Sequence, residues 1–383
     1  MLGKFTRRQL GLAAASALAQ ENTPVKYTGA LDGYESKVAP AQFDPVLWTR
    51  DRYTTIPRQL AFRARTRKEA EAWQKRLRTK LNALLGGLPE DKPPLQSQTL
   101  EVRDFPGYRR EKFVFESRPG FAVLGYLLTP RGAKRPYTPV ICLPGHGRGV
   151  DDIVGIDDHG RDRTTKDGYQ HDFAIQVVEH NMAAVAIEMM AFGCRRDPAT
   201  RKRGLGASAC QPSAGAALLF GETMITWRVH DVMRTVDWIE TRPELDRGRV
   251  GCMGISGGGT CTRFAAALEP RIRAAMMSCS LNTFRDSIMS ISHCIDNYVP
   301  GILHWAEMYD VAGLIAPRPF FAESGDRDPI FPLAASRESF ERVQEMYEVF
   351  HASGETAQEV FSGNHMFHGV EGLKFLADKL GAV

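Results

Sequence analysis

The amino-acid sequence predicts an α/β fold with a mostly parallel central sheet and helices on both faces. Short, continuously apolar runs are typical of strands buried on both sides, and they recur from residue 139 onward: PVICLPGHG (139–147), MAAVAIEMM (182–190), RVGCMGIS (249–256), AAMMSCS (274–280), RPFFAESG (318–325) and AQEVFSG (357–363). Helix-length segments separate these runs, and the longest covers about 223–241. This alternation is expected when crossover helices join parallel strands.

Composition and charge are those of an ordinary globular protein. The chain has 383 residues, of which 43% are hydrophobic, and a formal net charge of +4 with its Lys and Arg residues spread along the sequence. A nucleic-acid-binding face or a polybasic membrane patch would need clustered positive charge, so we expect neither nucleic acid nor membrane as a partner. A membrane-spanning helix needs about 18 apolar residues in a row, and the sequence has no such run.

Residues 1–19 have the layout of an export signal. Basic residues precede a mildly apolar run at 10–18, which closes with ALA, an A-x-A-like cleavage site. The adjacent Arg7 and Arg8 resemble a twin-arginine signal. We expect a bacterial protein that is periplasmic or secreted. An ordinary amphipathic N-terminal helix is the alternative interpretation of this segment.

Residues 20–95 are predicted to form a helical N-terminal appendage. Between 59 and 85, apolar residues recur at helical spacing, and two glycines follow, as at the C-terminus of a helix. The alternation of strands and helices begins beyond Pro94. We therefore expect the main domain to cover 96–383, with the appendage packed against it, and leave the oligomeric state open.

The seven cysteines are irregularly spaced and include no CxxC pair. This spacing does not predict a zinc site, so we expect no metal. Cys142, Cys252 and Cys279 lie in apolar runs, where a free cysteine behaves as a small core residue. Cys194 and Cys210 lie in a loop-like stretch and could form a disulfide in an oxidising compartment.

The stretch VGCMGISGGGTC (250–261) contains a glycine-flanked serine, Ser256, in the pattern G-x-S-x-G. A predicted strand precedes the motif and a predicted helix follows it, which is the context of a nucleophile elbow. Gly254 and Gly258 would allow the strand and the helix to approach closely around a strained turn. A flexible turn is the alternative interpretation.

A serine nucleophile needs a base that is oriented by a carboxylate. Downstream of Ser256, a strand-like run is followed by Asp326 and Asp328, and the last strand-like run is followed by His365 and His368. The chain order Ser, Asp, His is the order in hydrolases of this topology. Either aspartate and either histidine fits the order.

These motifs resemble those of the α/β-hydrolase superfamily, in the branch of dienelactone hydrolases and acetyl xylan esterases. The resemblance covers about residue 100 to the end of the chain. It implies that Asp328, in the G-x-x-D turn, is the acid and that His365 is the base, which leaves His368 to packing or capping. Dienelactone hydrolases proper have a cysteine nucleophile where this chain has Ser256, so the resemblance implies simple ester hydrolysis.

The resemblance also implies an oxyanion hole. One donor would be the backbone N–H of Gly257, the residue after the nucleophile. The other would be the backbone N–H of Arg148, because His146-Gly147-Arg148-Gly149 resembles the H-G-x-G element of the family. A glycine-rich loop can also cradle phosphate, but neither a P-loop nor a dinucleotide fingerprint is present in the sequence. We expect no cofactor.

Three further residues are candidate substrate-binding groups. His146 lies in the predicted oxyanion loop, and Arg195 follows a strand end, where it could contact an acidic group of a substrate. His293 lies in a segment rich in aromatic and amide side chains that would suit a sugar-binding wall, although packing is the alternative role.

The sequence thus predicts a serine esterase that acts on small acyl esters, with acetylated carbohydrates as the leading substrate class. Two alternatives remain. A serine peptidase of the prolyl oligopeptidase type shares the fold and the triad, but no propeller repeat is present in this sequence. A non-catalytic binding protein on the same scaffold would be expected to lack a triad member.

Overall fold

A computed structural model describes residues 29–163 and 165–382. The predicted export signal at 1–19 lies outside the described residues. The chain divides after Arg52 into two compact units. The described part of the first unit contains a 3-10 turn at Pro40–Phe43 and the start of a helix at Pro45.

The second unit contains the central sheet. The helices of the described chain are α1 (Pro45–Thr55), α2 (Arg67–Leu84), α3 (Phe173–Glu179), α4 (Pro198–Arg201), α5 (Cys210–Leu219), α6 (Met224–Glu240), α7 (Gly257–Leu268), α8 (Met308–Gly313), α9 (Leu333–Val349) and α10 (Val370–Lys379). The strands are β1 (Gln98–Asp104), β2 (Tyr108–Arg118), β3 (Phe121–Pro130), β4 (Pro139–Leu143), β5 (Ala183–Ile187), β6 (Val250–Ile255), β7 (Ile272–Ser278), β8 (Phe320–Gly325) and β9 (Thr356–Phe361).

Within the described residues, nine strands form one sheet in the order β1-β2-β3-β5-β4-β6-β7-β8-β9. Strands β1, β2 and β3 pair antiparallel, and β3 also pairs antiparallel with β5. All pairs from β5 to β9 are parallel. This arrangement confirms the predicted, mostly parallel α/β sheet.

The register of the parallel strands aligns their carboxyl ends. Ile255 at the end of β6 pairs with Ser278 at the end of β7, and Gly325 at the end of β8 pairs with Phe361 at the end of β9. Residues that directly follow these strands therefore meet at one edge of the sheet, where ligands bind in open α/β folds.

Two hydrophobic clusters lie against the sheet. One contains buried residues of α2, α6, α7 and α9, with Trp238 stacked on Phe113 of β2 at 4.0 Å between ring centroids. The other contains residues of α3 and α10, and there the ring centroids of Phe173 and Phe367 lie 4.9 Å apart. Helices thus cover both faces, as the sequence predicts.

Helix α2 belongs to the same core as the sheet, which changes the predicted domain boundary. Thr66 and Glu69 form a capping box at its start, and Leu77 and Leu81 are fully buried in the first cluster. Residues 53–95 therefore form one compact unit with the main domain. The boundary between the two compact units lies after Arg52, not at residue 95.

Polar side chains of α2 also contact the main domain. The guanidinium of Arg78 donates to the carbonyl of Leu314 beyond α8, and Gln74 donates to the carbonyl of Ala316 at 2.7 Å. These carbonyls lie at the end of a short helix, where they lack intrahelical partners.

None of the helices described above combines the length and the hydrophobicity that a membrane-spanning segment needs.

Candidate active site

Ser256 lies in a sharp turn between β6 and α7. Its backbone has φ +55° and ψ −121°, a conformation that costs free energy for a residue with a Cβ. A Cβ on Gly254 would lie 2.7 Å from the carbonyl oxygen of Leu143, and a Cβ on Gly258 would clash with the same oxygen. Glycine is therefore required on both sides of the serine.

The elbow places Ser256 among the ends of three strands. Its N–H donates to the carbonyl of Ser278 at the end of β7, at 3.0 Å, and its carbonyl accepts the N–H of Thr260 in the first turn of α7, at 2.9 Å. A Cβ built on Gly145, just beyond β4, would lie 3.2 Å from the Cβ of Ser256. Ser256 is 8% exposed.

Asp328 and His365 form a hydrogen-bonded pair beyond β8 and β9. Nδ1 of His365 lies 2.7 Å from Oδ2 of Asp328. Oδ1 of Asp328 accepts the N–H groups of Ile330 at 2.8 Å and Phe331 at 3.0 Å. Burial raises the pKa of Asp328, but the hydrogen bond and charge of His365 and the two N–H groups lower it more, so the carboxylate is favoured.

The neighbouring aspartate and histidine have other contacts. Asp326 accepts the N–H of Gly363 at 2.9 Å and pairs with Arg327. Nδ1 of His368 lies 2.9 Å from a carboxylate oxygen of Glu359, and its ring stacks on Phe361. The structure therefore brings together Asp328 and His365, and neither Asp326 nor His368 joins them.

Tyr169 and Cys279 both lie close to His365. The ring of Tyr169 stacks on that of His365 at 5.6 Å, and its hydroxyl donates to the carbonyl of His146 at 2.6 Å. Cys279 directly follows Ser278, the residue whose carbonyl binds the N–H of Ser256. Its Sγ lies within 4.8 Å of a carboxylate oxygen of Asp328 and a ring nitrogen of His365. Within the described residues no hydrogen bond joins Ser256 Oγ to His365.

An aromatic row continues from the histidine. The ring of Phe331 stacks on His365, and the ring of His293 meets Phe331 edge-on, each at 5.7 Å between centroids. Nδ1 of His293 lies 3.2 Å from the side-chain amide of Asn297. Nε2 of His293 is buried without a hydrogen-bond partner in the described part of the chain.

The two predicted oxyanion donors differ. Gly257 is the first residue of α7, and among residues 29–163 and 165–382 no acceptor takes up its N–H, as expected at a helix N-terminus. The N–H of Arg148 instead donates to Oδ2 of Asp152 at 2.7 Å. It is therefore not free to bind an oxyanion, and the assignment of Arg148 is wrong for this structure.

His146 lies beside the elbow, where the sequence analysis expects a substrate-binding group. Its Cε1 and Nδ1 atoms are both 3.3 Å from the position of a Cβ on Gly257. Its Nε2 lies 3.4 Å from Oδ2 of Asp296 and 3.6 Å from Sγ of Cys210. Burial raises the pKa of Asp296, but Arg228 and His146 lower it much further.

Arg195 has structural contacts. Its guanidinium donates to Asp231 at 2.7 Å and to the carbonyl of Glu188 at 3.1 Å, and the side chain is only 4% exposed. A nearly buried guanidinium held by a buried carboxylate is poorly placed to meet a substrate, so the predicted substrate contact is not supported.

The predicted disulfide is also absent. All seven cysteines, each of which lies in the described part of the chain, are free thiols. The N–H of Cys194 faces Glu188, whereas Sγ of Cys210 faces His146, Asp296 and Cys294. A hydrogen bond from Cys294 lowers the pKa of Cys210, although burial alone would raise it.

Sequence reasoning missed four of these site residues: Tyr169, Cys279, Asp296 and Phe331. Phe331 and Cys279 carried a usable signal, because each follows a strand within a few residues of a reactive group. Tyr169 and Asp296 lie in long connections without a motif. Their positions depend on how those connections fold over the sheet edge.

A comparison with known protein families identifies the family of this chain. Residues 53–375 match the Abhydrolase family. The chain belongs to this family. The match confirms the resemblance to α/β-hydrolases. It begins at Tyr53, which is also the first residue of the second compact unit.

Individual proteins resemble this Abhydrolase chain with sequence identities of 13–24%. A Bacillus subtilis (strain 168) protein named as the hydrolase YtaP is 24% identical over 262 residues, which are 67% of this chain and 81% of that protein. A Bacteroides fragilis NCTC 9343 structure named as an acetyl xylan esterase superposes with a TM-score of 0.70 and 19% identity, covering 83% of this chain and 82% of the other. A glucuronoyl esterase from Solibacter usitatus gives 0.61 and 13%, covering 85% and 99%. These structures share the fold.

Glu188, just beyond β5, joins two loops of the Abhydrolase site. Its carboxyl group accepts the N–H of Val150 at 3.1 Å and that of Cys194 at 3.4 Å. A Cβ on Gly149 or on Gly193 would clash with this carboxyl group. Burial raises the pKa of Glu188 to about 8. The group therefore holds a proton at neutral pH while it supports the loop of His146.

We expect Glu188→Gln to make the stability of the protein less dependent on pH between about 5 and 8. In this window the folded chain keeps the proton of Glu188 and the unfolded chain has lost it, so the free energy of unfolding falls as pH rises, by up to about 1.4 kcal/mol per pH unit from this group. Glutamine carries no such proton.

Urea unfolding at several pH values measures the difference between wild type and variant. Glu341→Gln, at an exposed position of α9, is the matched control and should follow the wild-type curve. Parallel curves for wild type and Glu188→Gln would contradict a protonated Glu188.

Proposed function

We propose that this Abhydrolase is a serine carboxylic-ester hydrolase that acts on small acyl esters, with acetylated carbohydrates as the leading class. The observation that carries the proposal is the Asp328–His365 hydrogen bond of 2.7 Å. It lies at the carboxyl ends of the parallel strands, the edge of the sheet at which Ser256 also lies. A carboxylate that orients an imidazole beside an elbow serine is the arrangement that activates a hydroxyl nucleophile.

In the proposed mechanism, Ser256 Oγ attacks the ester carbonyl while His365 Nε2 takes its proton. Asp328 holds Nδ1–H of His365, which keeps Nε2 free to act as the base and stabilises the imidazolium. His365 then protonates the leaving alcohol. Water, activated by the same histidine, hydrolyses the acyl-serine and restores Ser256.

The developing oxyanion needs preorganised N–H donors, each worth roughly 3–4 kcal/mol in enzymes of this kind. We assign one to Gly257, whose N–H begins helix α7. Since Arg148 is engaged by Asp152, we assign the second to the segment His146–Gly147. Among the described residues, both of its N–H groups lack an acceptor.

Two features support a carbohydrate ester. The half-buried ring of Tyr169, stacked beside His365, offers flat apolar surface of the kind that packs against sugar rings. The proteins of similar fold are named as acetyl xylan and glucuronoyl esterases. We also propose that residues 1–19 direct export, which would bring the enzyme to extracellular substrates.

Hydrolysis of p-nitrophenyl acetate, butyrate and octanoate, followed by covalent trapping, tests the proposal. We expect turnover that falls with acyl length, and a single adduct on Ser256 when the protein reacts with a fluorophosphonate and is mapped by peptide mass spectrometry. Acetylated xylan oligosaccharides then test the carbohydrate.

The Ser256→Ala variant is the control for labelling and should give no adduct. An active enzyme labelled at another residue would overturn the assignment of the nucleophile. A preference for a peptide substrate over all three esters would favour the peptidase alternative, and inertness toward every substrate would favour a binding protein.

A further inference from the structure

Four side chains with metal-binding atoms converge beside the elbow, and together we call them the thiol–histidine cluster: His146, Cys210, Cys294 and Asp296. Their ligand atoms all lie within 4.8 Å of one another. They come from the loop after β4, the first residue of α5, and a 3-10 turn at Ile295–Asn297 with Cys294 directly before it. No part of the proposed ester mechanism uses the two thiols.

The separations among the ligand atoms of His146, Cys210 and Asp296 fit a shared tetrahedral ion. Zn²⁺ binds sulfur at about 2.3 Å and nitrogen or oxygen at about 2.0–2.2 Å, which places neighbouring ligand atoms about 3.3–3.8 Å apart. In the structure, Oδ2 of Asp296 lies 3.4 Å from Nε2 of His146 and 3.3 Å from Sγ of Cys210. Sγ of Cys210 lies 3.6 Å from the same nitrogen.

Arg228 balances the charge of such a site. Its guanidinium donates to Asp296 and lies 3.3 Å from Sγ of Cys210, and both Arg228 and Asp296 are buried. Two thiolates and a carboxylate carry three negative charges, which a divalent ion and one guanidinium neutralise. The side-chain amide of Asn297 binds the other oxygen of Asp296 at 2.8 Å. Such outer hydrogen bonds orient metal ligands.

We propose that the thiol–histidine cluster binds one divalent ion of the Zn²⁺ type. Nitrogen and sulfur donors select this class over Mg²⁺ and Ca²⁺, which prefer oxygen. Binding replaces the remaining thiol protons with the ion and releases them to solvent, with no change of oxidation state. The His146 side chain, which is 31% exposed, provides the route of entry.

A disulfide between Cys210 and Cys294 is the competing use of the two sulfurs. A disulfide would not explain why Nε2 of His146 and Oδ2 of Asp296 both lie close to Sγ of Cys210. A metal ion uses all four donor atoms. The donor set therefore favours the ion over the disulfide.

If the proposed ester hydrolysis is correct, the ion also positions a proton beside the nucleophile. Coordination at Nε2 of His146 requires the neutral ring to carry its hydrogen on Nδ1. Nδ1 lies on the side of the ring that faces Gly257. The ion would then serve as a positioning group that holds the oxyanion loop against helix α7.

Metal analysis of the full-length protein, purified without chelator, tests the site. We expect about one zinc per chain by plasma mass spectrometry. After removal of zinc with dipicolinate, added Co²⁺ should give a near-ultraviolet thiolate-to-cobalt band that saturates at one equivalent. Cys210→Ser and Cys294→Ser should each weaken Co²⁺ binding by about tenfold or more.

Cys194→Ser is the matched control, because Cys194 is an exposed thiol outside the cluster, and it should bind Co²⁺ like wild type. The wild-type titration remains decisive even if a cluster variant does not fold. No zinc and no cobalt band in wild type, or a Cys210–Cys294 disulfide in a non-reduced peptide map, would overturn the proposal. Ser256→Ala should still bind the ion, so loss of esterase function and loss of the metal site are separable.

Discussion

Replacing Ser256 with alanine will lower kcat for p-nitrophenyl acetate by roughly 10⁴-fold or more, because no other hydroxyl stands on the elbow to form the acyl-enzyme. Alanine keeps the Cβ and the backbone hydrogen bonds to Ser278 and Thr260, so the variant should fold and unfold like wild type. Initial rates with a matched thermal unfolding curve measure the effect.

Ser362→Ala is the matched control. Ser362 is an exposed serine near the same edge of the sheet, where it accepts a hydrogen bond from Arg327 at 3.2 Å. Its loss should change kcat by less than about twofold, since surface substitutions of this kind are close to neutral. If Ser256→Ala kept more than about a hundredth of wild-type turnover, the serine would not be the nucleophile.

Asp328→Asn should lower kcat by a similar factor of roughly 10⁴, because an amide no longer holds His365 in the tautomer that leaves Nε2 free. The change is small in structure. Asparagine keeps an oxygen that can accept the N–H groups of Ile330 and Phe331, so the turn should persist. A kcat–pH profile from pH 5 to 10 would show whether residual activity still depends on a histidine.

Asp326→Asn provides the comparison within the same turn. Asp326 contacts Gly363 and Arg327 and does not reach His365. We expect its replacement to leave kcat within a few-fold of wild type. The opposite outcome, with Asp326→Asn inactive and Asp328→Asn active, would move the acid to Asp326 and contradict the geometry.

Local patterns in the sequence were sufficient for the sheet and the elbow. Continuous apolar runs marked the parallel strands because both faces of those strands are covered. The G-x-S-x-G pattern marked the strand–turn–helix junction around Ser256, because only glycine fits at positions 254 and 258. The order of acid and histidine was also visible. Local sequence alone left Asp328 and Asp326 equivalent, as it did His365 and His368, and the resemblance favoured one of each.

The remaining features depend on how loops and helices fold in three dimensions. Arg148 was assigned a free N–H by resemblance, but Asp152 folds back onto it at 2.7 Å. The apolar spacing of Leu77 and Leu81 predicted helix α2, but not that these side chains are buried in the same core as the sheet. The thiol–histidine cluster joins positions as far apart as 146 and 296, so no motif spacing could reveal it.

The left-handed backbone at Ser256 places reactivity and thermodynamic stability in opposition. Such a conformation costs about 1–3 kcal/mol, against a net stability of about 5–15 kcal/mol for a typical protein. The surrounding packing must therefore be strong enough to hold one residue away from its own preferred geometry. The tight contacts of β4, β6 and α7 at Gly254 and Gly258 meet that demand, because they leave the turn no room to adopt a more relaxed backbone around Ser256.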